Sequence, residues 1–182
     1  LEDTESLRPA FAGINKLLLI TANGETEELR GTNAVAAAVA AGVNKIVFLS
    51  VKLSEAAMKV PHYASKVAIE DAIRASSITH TFLRPDFFFQ NDLMLGGAIS
   101  GGGVYPMPIG NIGQNRIDTR DIGDAAVRAL TTDALDGQDI PLYGPATWTA
   151  DAIATLYSGS LGREVRYGGD DLDAWAEGSK AF

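Results

Sequence analysis

The chain has 182 residues, 46% hydrophobic and 21% charged, which is enough to bury a core and too apolar for disorder. A net charge of −8 argues against nucleic acid or anionic membrane as a partner, since both need clustered Lys and Arg. With no cysteine and two isolated histidines, His62 and His80, disulfides, thiolate chemistry and a metal site are not expected. No apolar run is long enough to cross a bilayer and no signal segment is visible, so a cytoplasmic location is expected. The chain begins at Leu1 rather than Met, and its first residues read neither as a start nor as a targeting segment. The expectation is that part of a longer protein precedes it.

Leu1–Ala12 reads as an acidic stretch running into a short helix closed by Gly13. Leu17–Ile20 is a continuous apolar run, as a strand buried on both faces of a parallel sheet requires. Thr21-Ala22-Asn23-Gly24 turns the chain at that strand's carboxyl end. A helix follows over Glu25–Ala41, acidic at its start, alanine-rich where it lies close to a sheet, and stopped by Gly42. Lys45–Ser50 is the second buried strand, with Ser50 and Val51 at its carboxyl end. The polar stretch from Val51 to Pro61 has no assigned element.

The rest of the chain is organised around His62–Asn91. It reads as a helix with Lys66 in its first turn and an apolar stripe of Ile69, Ala72 and Ile73, a strand over Thr79–Leu83, and a proline–aromatic loop. Helix-length crossovers between strands imply a parallel sheet with right-handed connections. After Asn91 the pattern changes. A short helix at Leu93–Ile99 precedes an irregular segment with Gly101-Gly102-Gly103, Pro106 and Pro108, then a helix over Asp118–Leu130 and a strand over Ile140–Tyr143. A helix over Ala150–Leu161 capped by Thr149, a brief strand at Val165–Tyr167 and a last helix from Leu172 to Ala181 complete the chain. The expected fold is α/β: a partial doubly wound, Rossmann-like parallel sheet over residues 1–91, and a small α+β cap over 92–182 that is free to share sheet elements.

In open α/β sheets ligands bind beyond the carboxyl ends of the strands, where Lys66 and the 85–91 loop would arrive. A lysine in a first helical turn opposes the helix dipole, at a cost of about 0.3–1 kcal/mol where exposed, so its presence suggests an oxygen-rich ligand such as a ribose or phosphate. The alternative is a solvated lysine paired with Glu70 at i+4. His62, one turn before Lys66, mirrors the Tyr-x-x-x-Lys spacing of short-chain dehydrogenases, with Tyr63 out of register. It is a candidate proton donor, and otherwise a helix-start residue. Phe87, Phe88 and Phe89 offer an apolar wall suited to a flat heteroaromatic ring such as nicotinamide, or to core packing between sheet and cap. Asp118, Asp121 and Asp124 fit the start of a helix better than a metal cluster, and Trp148 and Thr149 read as structural.

Ordered pieces of the chain together carry a resemblance: Glu5-Ser6-Leu7 with Ala10-Phe11-Ala12-Gly13, Asn33-Ala34-Val35 with Ala40-Ala41-Gly42-Val43, and Ile46–Ser50. His62–Lys66, Leu83-Arg84-Pro85 with Phe87-Phe88 and Gln90-Asn91, Ile117-Asp118 with Arg120–Gly123, and Gly144-Pro145 through Leu161-Gly162-Arg163 extend it. The chain resembles the NmrA-like family of atypical short-chain dehydrogenase/reductases. That resemblance implies a Rossmann protein binding NADP(H), with NAD(H) left open. Members either reduce quinones or related small carbonyl compounds, or sense redox state through a protein partner; a homodimer is also compatible. By the same resemblance Thr21, Ala22 and Asn23 would line the ribose–nicotinamide side, and Ser50 and Val51 would follow the next strand. Lys66 would hold the nicotinamide ribose or take part in proton transfer, and Pro85, Asp86, Phe87 and Phe88 would close over the ring; Lys66 is thus the first catalytic candidate, with His62, by its spacing, the candidate proton donor. The family's first strand and its Gly-x-x-Gly-x-x-Gly turn would precede Leu1, leaving the first strand here as an apolar edge. Gly101-Gly102-Gly103 does not replace that turn, because it neither follows a strand nor opens a helix. An inactive fragment is the remaining expectation.

Overall fold

The computed structural model describes residues 1–54 and 59–179. In chain order the elements are α1 (Thr4–Ala10), β1 (Lys16–Leu19), α2 (Glu27–Ala41), β2 (Lys45–Leu49), α3 (Pro61–Ala75), β3 (Thr79–Pro85), β4 (Phe87–Phe88) and β5 (Val104–Tyr105). They continue with β6 (Gln114–Ile117), α4 (Thr119–Thr131), β7 (Gln138–Leu142), β8 (Thr147–Trp148), α5 (Ala150–Leu161), β9 (Arg166–Tyr167) and α6 (Leu172–Ser179). Two compact units result, residues 1–86 with 120–142, and residues 87–119 with the chain from Tyr143 onward. No helix among the described residues is long and apolar enough to cross a membrane.

The first unit is an α/β layer built on a parallel sheet of order β1-β2-β3-β7. Alternation along β2 explains its two faces. Ile46 and Phe48 join Phe82, Ile69, Ile73, Ala34, Val35 and Ala38 in one core, while Val47 joins Leu83, Ala126 and Ala129 in another. Helices therefore cover both faces, as the unbroken apolar run Ile46–Leu49 demands. Gly31 lets α2 lie against α3, because a Cβ there would run into the Ile69 side chain.

Three differences from the sequence reading have physical causes. β1 is not buried on both faces as its apolar run suggested, but lies at the sheet edge that the family resemblance implied: Leu18 is 38% exposed, and Ile20 falls outside the strand at 57%. α3 starts at Pro61, whose fixed φ suits the first helical position, so Lys66 lies in the second turn and not the first. β7 covers Gln138–Leu142 rather than the Ile140–Tyr143 run, and this segment, read within a cap left free to share sheet elements, extends the parallel sheet beside β3, with Leu83 opposite Ile140. Pro141 is tolerated there because β7 is an edge strand. The unassigned stretch from Val51 to Pro61 lies partly outside the described residues.

The second unit is α+β. β4 pairs parallel with β6, β6 antiparallel with β8, and β5 parallel with β9. Its core gathers Ile99, Tyr105, Ala150, Ile153, Ala154 and Val165. Four of its strands have two to four residues and were not expected, since so short a segment shows no periodicity. The segment read as a helix over Leu93–Ile99 is instead a 3-10 run, Phe89–Leu95, followed by a wider turn at Gly97–Gly101. Glycines at 96, 97 and 101 to 103 weaken an α-helix there. Thr149 does cap α5, its hydroxyl accepting from the Ala152 N–H at 3.2 Å.

Candidate active site at the sheet rim

Because β1, β2 and β3 run parallel with Leu19 opposite Phe48 and Leu49 opposite Leu83, the residues that follow them share one rim. Thr21, Ser50 and Asp86 each stand just past a strand end. The apolar stripe of α3 turns Lys66 inward with Ile69 and Ile73, and Lys66 is only 4% exposed. Its ammonium donates to Thr21 Oγ1 at 2.9 Å and to the Leu49 carbonyl at 3.2 Å, and pairs with Glu27 Oε1 at 3.0 Å. The Phe48 ring lies 5.1 Å below it.

Glu27, the first residue of α2, is fully buried and organises the cluster. Its Oε1 accepts from the Thr21 hydroxyl at 2.8 Å, and its Oε2 lies 2.6 Å from His62 Nδ1. Burial pushes the Glu27 carboxyl up, but hydrogen bonds from His62, Thr21 and Lys66 outweigh it and leave the pKa below the ordinary value. For Lys66 the balance goes the other way: burial, only partly opposed by Glu27, holds its ammonium below the usual lysine value. The carboxylate that opposes this burial is Glu27.

The pairing of Lys66 with Glu70 does not occur. Glu70, also fully buried, accepts from Ser50 Oγ at 2.6 Å, from Arg84 Nη2 at 2.6 Å and Nε at 3.2 Å, and from Arg74 Nη2 at 3.0 Å. Arg84 reaches it from β3, so a tertiary partner displaces the i+4 pair. Ser50 is thereby turned inward at 3% exposure, while Ala22 and Asn23 are exposed and Val51 is half-buried. Pro85 is buried in β3, and the Asp86 N–H donates to the Leu142 carbonyl at 3.1 Å. Phe87 and Phe88 belong to the second unit as β4, where Phe87 packs on the Arg116 guanidinium at 5.0 Å from its centroid. The structure thus brings together Thr21, Lys66 and His62, and adds Glu27.

Glu27 was missed because a glutamate at a helix start is favourable on dipole grounds alone and signals nothing further. A weak clue was available: Glu25, Glu27 and Glu28 crowd one helix start beyond what a dipole needs. Among the described residues no group of acidic or histidine side chains could hold a metal ion. Asp118 accepts from Gln90 at 3.0 Å immediately before α4, and Asp121 and Asp124 are exposed.

Comparison with known proteins gives a consistent answer. The model of the NmrA-like family matches residues 1–169. An NAD(P)H azoreductase from Xenophilus azovorans is 32% identical over 169 residues, covering 92% of this chain and 58% of that protein. The structure of Citrobacter sp. triphenylmethane reductase complexed with NADP(H) superposes with a TM-score of 0.82 at 27% identity, over 94% of this chain and 61% of that one. An NADPH-dependent quinone oxidoreductase from Escherichia coli, solved with NADPH, gives 0.86 at 25% identity, over 99% and 64%. The chain therefore spans about three fifths of the length of these relatives.

Proposed function

Since the chain belongs to the NmrA-like family, we propose that it is part of an NADP(H)-dependent reductase acting on a small oxidised acceptor, a quinone or other carbonyl compound. The observation that carries this reading is the buried Lys66–Glu27–His62–Thr21 cluster at the carboxyl rim of a parallel sheet. The residues present fit the nicotinamide-ribose side of such a cofactor. Ala22 and Asn23 leave the backbone beyond β1 accessible, and Lys66 supplies an ammonium beside them. A ribose hydroxyl would replace the longest of the three Lys66 contacts, the 3.2 Å bond to Leu49. The start of α2 is a poor phosphate site, because Glu25, Glu27 and Glu28 oppose an anion.

When bound, the reduced nicotinamide would supply the hydride. Lys66 would orient the ribose, and Thr21 would fix Lys66. His62, 28% exposed at its side chain and anchored through Nδ1, would deliver the accompanying proton. The relatives include an azoreductase and a triphenylmethane reductase; an azo bond takes up a hydride and a proton and a triphenylmethane cation a hydride alone, so hydride transfer is the step they share, which supports a broad acceptor class. The test is a titration of NADPH into the protein followed by nicotinamide fluorescence, with NADPH oxidation measured against a quinone and an azo dye. Lys66→Ala should weaken binding at least about tenfold, the equivalent of one charge-assisted hydrogen bond. A Lys66→Ala variant binding as tightly as the wild type refutes the reading of the site, and a protein that binds NADPH yet turns over neither acceptor refutes the acceptor class.

A further inference from the structure

The two carboxylate oxygens of Glu27 have separate partners. Oε1 serves Thr21 and Lys66, and Oε2 faces His62 Nδ1 at 2.6 Å. We propose that Glu27 is the positioning residue of this site: it selects the Nδ1–H tautomer of neutral His62, so that Nε2 is the nitrogen that takes up a proton from water and passes it on to the acceptor, while Lys66 is locked beside Thr21. The proposal rests on the reading of Lys66 and His62 as site residues and adds the group that orients both.

The argument is one of hydrogen-bond inventory. A carboxylate accepts and does not donate, so a ring nitrogen at 2.6 Å from it must carry the proton. In a neutral imidazole the other nitrogen is then bare, and the tautomer is set by the bond the first nitrogen makes. Glu27 cannot turn away from this duty. It is fully buried, and its other oxygen is committed to a hydroxyl donor and an ammonium. The titratable groups facing it are Lys66 and His62, both from α3. An α2 carboxylate thus ties two side chains one helical turn apart on α3 into fixed orientations.

The experiment reads the tautomer directly. Imidazole 15N shifts are recorded at a pH where the ring is neutral, on the protein, whose two histidines are His62 and His80. In the wild type, Nδ1 of His62 should be protonated and Nε2 bare. In Glu27→Gln the amide oxygen should keep the place of Oε1, because Lys66 and Thr21 both donate there. The amide NH2 then faces His62 Nδ1 and donates to it. The tautomer should reverse to Nε2–H, with the His80 signals, set by its Nδ1 bond to the Ile78 carbonyl at 3.2 Å, unmoved. An Nε2–H tautomer in the wild type, or no reversal in a variant that retains the His80 signals, overturns the proposal. If Glu27→Gln does not fold, the wild-type spectrum alone decides. Neither measurement needs cofactor or acceptor, so a failure here is separable from a failure of NADPH binding.

Discussion

Removing the carboxylate of Asp92 isolates the most deeply buried charge in the second unit. Arg116 is 1% exposed, and its Nη1 and Nη2 donate to Asp92 at 2.6 and 2.9 Å. Tyr105 OH accepts from Nη2 at 2.7 Å, Tyr157 OH donates to Asp92 at 2.8 Å, and the rings of Phe87, Phe89 and Tyr105 lie within 5.7 Å of the guanidinium. Asp92→Asn keeps the shape and deletes the charge, leaving a guanidinium that cannot neutralise by losing a proton. Breaking one side of a buried pair costs about 3–5 kcal/mol. With a urea slope of about 2 kcal/mol/M, the unfolding midpoint should fall by roughly 2 M. Both tryptophans, Trp148 and Trp175, lie in this unit, so their fluorescence follows its unfolding and not that of the other. Tyr157→Phe leaves the ion pair intact and should cost only about 1–2 kcal/mol. Asp92→Leu combined with Arg116→Met should recover most of the loss, since an apolar pair avoids the desolvation altogether. A midpoint shift below about 0.5 M for Asp92→Asn would refute the view that this pair is buried and mutually dependent.

Gly31→Ala drives a Cβ into Ile69, a clash worth about 1–3 kcal/mol that a helix-propensity gain of about 1 kcal/mol only partly offsets. Adding Ile69→Val should return part of the loss in thermal melting; strict additivity would mean the two side chains are not in contact. Burial pushes the Tyr157 hydroxyl up to about 12, helped by its bond to Asp92. A raised pKa gives stability that is complete below about pH 10 and is lost as pH climbs through the folded value. Urea midpoints should therefore decline between about pH 10 and 12, and decline less in Tyr157→Phe. Glu27 has the opposite sign: its lowered pKa gives stability present above the unfolded value of 4.5 and lost as pH falls through the folded one. In Glu27→Gln the acid limb of the stability profile should flatten, and an unchanged limb would show that other carboxylates govern it.

The sequence by itself determined the strand–helix alternation over residues 16–85, the parallel sheet and the inward face of α3. Each is a local matter: a continuous apolar run, a period of 3.6, a glycine at Gly42 with φ +71 or a threonine cap at Thr149, all read within about fifteen residues. Lys66 was legible for the same reason, being in phase with Ile69 and Ile73. Tertiary structure alone decided what Lys66 touches. Glu70 lies one turn away and Glu27 far off in sequence, yet the lysine pairs with Glu27 and Arg84 takes Glu70. That choice depends on how α2 and α3 are rotated about their axes, which the close approach of Gly31 to Ile69 sets and no local pattern encodes. The same holds for β7, whose place beside β3 required the chain to leave the sheet after Asp86 and return after Thr119. It also holds for β4, β6 and β8, strands of two to four residues whose hydrogen bonds come from one another, β6 pairing with both of the others. Periodicity names the face a residue shows; only packing names its partner.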